Sequence, residues 1–170
     1  MKLLVVLLLL SVLLACNNSN TEHKHTQSSL ENSELRILTE PAGNYATNIT
    51  IKGQGTSMAE MKFDLSKIVI NKGKTISITL INEGDNEVMT HNFVVVKNGK
   101  TEEVAIAGAQ HPDNSYVAPN DENVIFASPL VAYGKTKTFD FSILEKGTYQ
   151  FICTYPGHFK LMSGYLVVVD

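Results

Sequence analysis

From about Thr47 onward the chain breaks into short runs in which apolar and polar residues alternate, separated by turn residues. A period of two is what a strand needs when one face is buried and the other meets water. Ile76, Ile78 and Leu80 are interleaved with Ser77, Thr79 and Ile81, and Phe139, Phe141 and Ile143 repeat the pattern. Strands are predicted at 48–52, 62–70, 75–82, 92–97, 124–127, 136–143, 148–153 and 165–169. Gly53-Gln54-Gly55, Asn71-Lys72-Gly73 and Asn98-Gly99 supply the turns. About seven or eight short strands punctuated in this way predict an all-β sandwich. One segment departs from the rhythm. Thr101 is placed to cap a helix, Glu102 and Glu103 suit its first turn, and Gly108 and Pro112 limit its length. One domain over 47–170, with one short helix on its side, accounts for all of this.

The first fifteen residues are of another kind. Residues 3–15 form an almost unbroken apolar run behind Lys2. That is short of the roughly 20 residues a spanning helix needs, and it has the size of a signal-peptide core. The run ends in Leu13-Leu14-Ala15-Cys16, similar to a bacterial lipoprotein cleavage box, with Cys16 as the acylated first residue. The expected address is the periplasm, anchored by lipid to the inner or outer bacterial membrane. Residues 16–46, rich in Asn, Ser, Thr and Glu, sustain no apolar period and are expected to be a disordered tether. Some thirty flexible residues reach about 30 Å. Without Lys2 the chain has 13 basic residues, one fewer than its 14, against 17 acidic, a net charge of -4. No Lys/Arg-dense patch exists to hold a phosphate backbone, so nucleic acid is not an expected partner.

The chemistry is concentrated near the C-terminus. Cys153-Thr-Tyr-Pro-Gly-His158-Phe-Lys-Leu-Met162 places a thiol, an imidazole and a thioether within ten residues, with Pro156-Gly157 turning the chain between the first two. Soft sulfur donors joined to imidazole favour copper over harder ions. Two histidines and a cysteine in a trigonal set, with a weak axial methionine, form a blue-copper electron-transfer site. Thr90-His91-Asn92 can supply the second histidine from far upstream. Taken singly, Met162 reads as core filler, His91 as a structural histidine and Cys153 as a small buried hydrophobe. Their joint spacing overturns those readings. Cys16 and Cys153 are the two cysteines of the chain, so lipidation of the first leaves the second unpaired where thiols normally pair. A bound metal would occupy it.

These motifs resemble those of the azurin-like cupredoxins. The resemblance rests on Cys153-Thr-Tyr-Pro-Gly-His158 with Met162, on Met89-Thr90-His91-Asn92, and on Thr138-Phe-Asp-Phe-Ser followed by Gly147. It extends from roughly Ile49 to the C-terminus and implies a Greek-key sandwich. It also implies His91, Cys153 and His158 as equatorial ligands of one copper ion cycling between Cu(I) and Cu(II), and Met162 as the axial ligand. The Thr90 carbonyl would lie on the other axial side, and Asn92 would hydrogen-bond across to the Cys153–Thr154 segment. His158 would reach the surface through an apolar patch and serve as the electron port. The chain departs from that family in having Thr90 for a glycine, Phe93 for a tryptophan, Phe159 for a small residue, and no disulfide.

Three functional classes follow. A Cys153–His158 nucleophile and base would make an enzyme, but no orienting carboxylate or oxyanion donor is apparent, and Met162 would have no purpose. A copper-trafficking or storage lipoprotein is the alternative reading, though exchange favours exposed Met/His sites. The expected function is therefore non-enzymatic: a monomeric one-electron shuttle between redox proteins such as c-type cytochromes and a terminal reductase or oxidase.

Overall fold

The computed structural model describes residues 43–170. The apolar leader, Cys16 and most of the expected tether lie outside the described residues. Two sheets face each other. One contains β1 (Asn48–Gln54), β2 (Lys62–Phe63), β4 (Ile76–Asn82) and β7 (Thr136–Phe141), in the order β2-β1-β4-β7. The other contains β3 (Lys67–Asn71), β5 (Val94–Lys97), β6 (Val124–Ala127), β8 (Gly147–Ile152) and β9 (Ser163–Val169), in the order β3-β9-β8-β5-β6. The chain crosses between the sheets, so β1 runs parallel to β4 and β3 parallel to β9, while the other ladders are antiparallel. This is the all-β Greek-key sandwich expected of the sequence, with α1 (Thr101–Gly108) on one side.

Alternation explains the layering. In β4 each residue of the Ile76, Ile78, Leu80 set is buried while its neighbours are half-buried. In β5 Val94, Val95 and Val96 are all buried because both faces are covered. Val95 points into the main core with Ile51, Ile78 and Leu166, whereas Val94 and Val96 pack with Val104, Ala105 and Ile152 under α1. Beneath the ligand end lies an aromatic group. Phe93 stacks on Phe151 with ring centres 5.2 Å apart, and Phe63 meets Phe151 edge-on at 5.7 Å. Each such pair contributes about 0.5–1.5 kcal/mol beyond its buried area.

The ends of β1, β4, β7, β8 and β9 lie one or two residues from the sequence reading, with Gly53 and Gln54 of the expected turn inside β1, and three further differences have identifiable contacts. The strand expected over 62–70 is two strands, because Asp64 exchanges hydrogen bonds with Lys52 through its carboxylate (2.7 Å) and its amide (3.0 Å). The chain then leaves for the second sheet. Thr101 is the first helical residue and does not cap; Lys100 occupies the cap position without a side-chain hydrogen bond. Its ammonium pairs instead with Glu103 at 2.6 Å. The strand expected from Asn92 begins at Val94, since the Phe93 amide donates to the Ser128 hydroxyl at 2.9 Å rather than to a neighbouring strand.

Candidate metal centre

The Cys153 end of β8 runs directly into a tight turn. The His158 amide donates to the Tyr155 carbonyl at 3.0 Å across Pro156-Gly157, and Gly157 has φ +86°. Proline presets the first central position of such a turn and glycine tolerates the left-handed second one. A second loop closes at once: Met162 N–H donates to His158 O at 2.9 Å, and Cys153 N–H donates to Met162 O at 3.0 Å. The backbone therefore ties Cys153, His158 and Met162 to one another before any side chain is considered. His91 arrives from the other part of the sheet. It sits in an isolated bridge with Val131, with N–O distances of 3.1 and 2.7 Å.

These elements bring together the side chains of His91, Cys153 and His158, all fully buried. The two Nδ1 atoms are 3.2 Å apart, and the Cys153 sulfur is 3.9 Å from Nδ1 of His91 and 3.5 Å from that of His158. In a triangle with sides of 3.2, 3.5 and 3.9 Å, the equidistant point lies about 2.1 Å from each donor, within the roughly 2.0–2.3 Å of metal–imidazole and metal–thiolate bonds. Both Nε2 atoms are buried without a partner. Two imidazoles and a thiol aimed at one another, with their outer nitrogens unpartnered, satisfy few hydrogen bonds, whereas one cation takes up all three donors. The residues fit a metal. Met162 is also fully buried, directly after the loop that carries His158.

The electrostatics of the three donors follow from burial. Desolvation, and then the neighbouring His158, lowers the His91 pKa to about 4. Desolvation lowers that of His158 to about 4 as well. Burial pushes the Cys153 thiol up to about 12, partly opposed by the backbone N–H groups of Asn92 and Tyr155 facing the sulfur. Those N–H groups favour the thiolate once a cation offsets the burial.

Asn92 spans the two ligand segments. Its carbonyl accepts from Thr154 N–H at 2.8 Å, and its amide donates to Thr154 Oγ1 and to Ser115 O, each at 2.8 Å. Asn92→Ala leaves these buried groups unpaired and is expected to cost about 3 kcal/mol, read as a lower urea midpoint of the metal-free protein. Thr90 adjoins the site, its hydroxyl donating to Glu87 O at 2.9 Å and its carbonyl facing the His91 ring.

One expectation about the surface needs correction. His158 does not reach solvent; it is fully buried. Gly157 beside it lies under Met58, whose Cε would stand 2.7 Å from a Cβ at that position. Phe159 packs beside the helix-side cluster of Val94, Val104 and Ile152, so it is a packing residue there. Met61 and Met89 are core residues, while the apolar groups exposed near the ligand loops are Met58 (43%), Val88 (50%) and Leu161 (49%). Met58 could have been singled out from the sequence only by knowing where the 55–61 loop folds.

A two-sheet β-sandwich with a buried cysteine–dihistidine cluster at one end is the architecture of a blue copper protein. The chain belongs to the plastocyanin/azurin family of copper-binding proteins, whose pattern matches residues 49–169. It is 36% identical over 117 residues to auracyanin-A of Chloroflexus aurantiacus, covering 67% of this chain and 71% of that one. It is 34% identical over 134 residues to outer membrane protein H.8 of Neisseria gonorrhoeae, covering 76% and 70% respectively. Among solved structures, dithionite-reduced auracyanin from Roseiflexus castenholzii superposes with a TM-score of 0.66 at 27% identity, covering 75% of this chain and all of that one. Copper is accordingly the cofactor, at a single type 1 site.

Proposed function

We propose that the chain is a one-electron carrier, with His91, Cys153 and His158 as equatorial copper ligands and Met162 as the axial one. The Thr90 carbonyl is the second axial neighbour, and Asn92 and Thr154 lock the ligand loops together. Bound copper supplies the redox couple; the protein supplies fixed donors and a dry, apolar surround. The observation that carries this reading is the donor triangle, already at metal-binding dimensions, with each ligand held by at least one backbone hydrogen bond. A site that need not rearrange between oxidation states exchanges electrons with little reorganisation. Full burial of all three donors favours keeping the ion over passing it on.

The electron exit is the face bearing Met58, Val88 and Leu161 rather than a bare imidazole edge. Contact there with c-type cytochromes, a terminal reductase or an oxidase is brief and small in area. The carrier is a monomer in the periplasm, held to the membrane by lipid on Cys16 through the 16–46 tether. The cleavage-box sequence supports that address, as does the similarity to a protein named for the outer membrane. The test loads the protein with Cu(II), then cycles mild reductant and oxidant in the presence of a Cu(I) chelator. An intense visible band that bleaches and returns over repeated cycles is the expected result. Transfer of copper to the chelator on the first reduction would identify a trafficking protein instead.

A further inference from the structure

His91 is the ligand that the Cys153 loop does not carry, so something else must set its position. We propose that Gly53 and Asn82, a register pair at the ends of the parallel strands β1 and β4, are positioning residues for His91. Neither touches the donor atoms' triangle. Both belong to the sheet opposite Cys153.

Asn82 is buried and uses its whole amide. Its Nδ2 donates to Met89 O at 2.6 Å and to Val131 O at 2.9 Å, while its Oδ1 accepts from Gly84 N–H at 2.9 Å. Met89 precedes His91 by two residues, and Val131 is the bridge partner of His91. One side chain therefore fixes the backbone on both flanks of the ligand. The Asn82 backbone is itself anchored, donating to Lys135 O at 2.9 Å and accepting from Gly134 N–H at 3.0 Å.

Gly53 acts on the ring. A Cβ there would stand 2.6 Å from His91 Cδ2 and 3.4 Å from both Cγ and Nε2. The backbone of Gly53 is not among the positive-φ positions, so glycine is required for space and not for conformation. Glycine inside a strand weakens it and marks a close approach; here the Cδ2 edge of the imidazole lies against the bare backbone. The Gly53 carbonyl accepts from Glu83 N–H at 2.8 Å, which joins this wall to the residue after Asn82.

The proposal rests on His91 being a copper ligand, and the test separates the two. Gly53→Ala, Asn82→Asp and Asn82→Ser are compared with wild type and with Ile70→Val, a core change at the end of the second sheet away from Cys153. Four properties are read: the Cu(II) dissociation constant by competition, the visible band positions, the reduction potential, and the His91 ring resonances of the metal-free protein. Gly53→Ala is expected to raise the dissociation constant at least tenfold and to shift the bands, the potential and the ring resonances. Asn82→Asp sets a carboxylate against two carbonyls and is expected to do the same; Asn82→Ser gives the milder version if Asn82→Asp does not fold. Ile70→Val lowers the melting temperature alone. Variants that lose stability yet keep wild-type spectrum, potential and affinity would overturn the proposal. A wild-type protein that never colours with Cu(II) would remove the copper-centre reading itself.

Discussion

Replacing Cys153 by serine is expected to abolish the intense visible absorption of the copper-loaded protein, not merely to shift it. The colour of a type 1 site comes from the thiolate, and Cys153 is the sole sulfur of the buried triangle. A serine hydroxyl is a hard donor with no comparable soft, polarisable electron pair. The two imidazoles survive the change, because His91 is held by its bridge to Val131 and His158 by its amide bond to Tyr155 O. Cys153→Ser should therefore still bind Cu(II) weakly and nearly without colour. Met162→Leu offers the complementary result. It keeps the thiolate, so the band remains while the reduction potential moves. The comparison needs only absorption spectra and a redox titration. An intense visible band in Cys153→Ser would exclude Cys153 as the thiolate ligand.

How much of this was legible in the sequence depended on whether the information was local. The Pro156-Gly157 turn specifies its own geometry, so Cys153, His158 and Met162 could be placed together from their spacing. The strands with strict alternation, such as Ile76–Asn82, were equally plain. What failed was set by single contacts across the fold. The Asp64 carboxylate meeting Lys52 N–H split one expected strand, and the Ser128 hydroxyl delayed the start of another. Asn82 reads as an unremarkable strand end and Gly53 as part of a turn. Their meaning appears only when β1 and β4 are paired and the Met89–His91 segment folds over them. The surroundings of the His158 loop belong to the same class, since Met58, which lies against the neighbouring Gly157, is a hundred residues earlier, on a loop whose path the local pattern does not determine.

Acidification from pH 7 to about 4.5 is expected to destabilise the metal-free protein steeply and the copper-loaded protein much less. In the folded metal-free chain His91 and His158 titrate at about 4, against 6.5 when exposed. Between those values the unfolded chain binds protons that the native state refuses, so stability rises with pH across the window and is lost as pH falls through it. At its lower edge each imidazole accounts for roughly 3 kcal/mol, a large share of a typical domain's 5–15 kcal/mol. The surface carboxylates act lower: Asp170, held to about 2 by Lys72 and Lys146, keeps its contribution above its exposed value of 3.8. The interval from about 4.5 to 6.5 thus isolates the two histidines. The thiol governs the other side. Folded Cys153 stays protonated to about 12 against 9.0 when exposed, so metal-free stability also falls as pH rises above 9. Copper binding reverses the logic, because it requires neutral imidazole nitrogens and a thiolate. The bound ion expels the thiol proton and must itself be displaced before the histidines can take up theirs. Urea midpoints carried to about pH 10 read the thiol, and those from pH 4.5 to 8, with and without Cu(II), read the histidines. A metal-free midpoint that stays flat over that interval would show that the two histidines are not jointly buried and neutral, and the donor triangle would not be preformed.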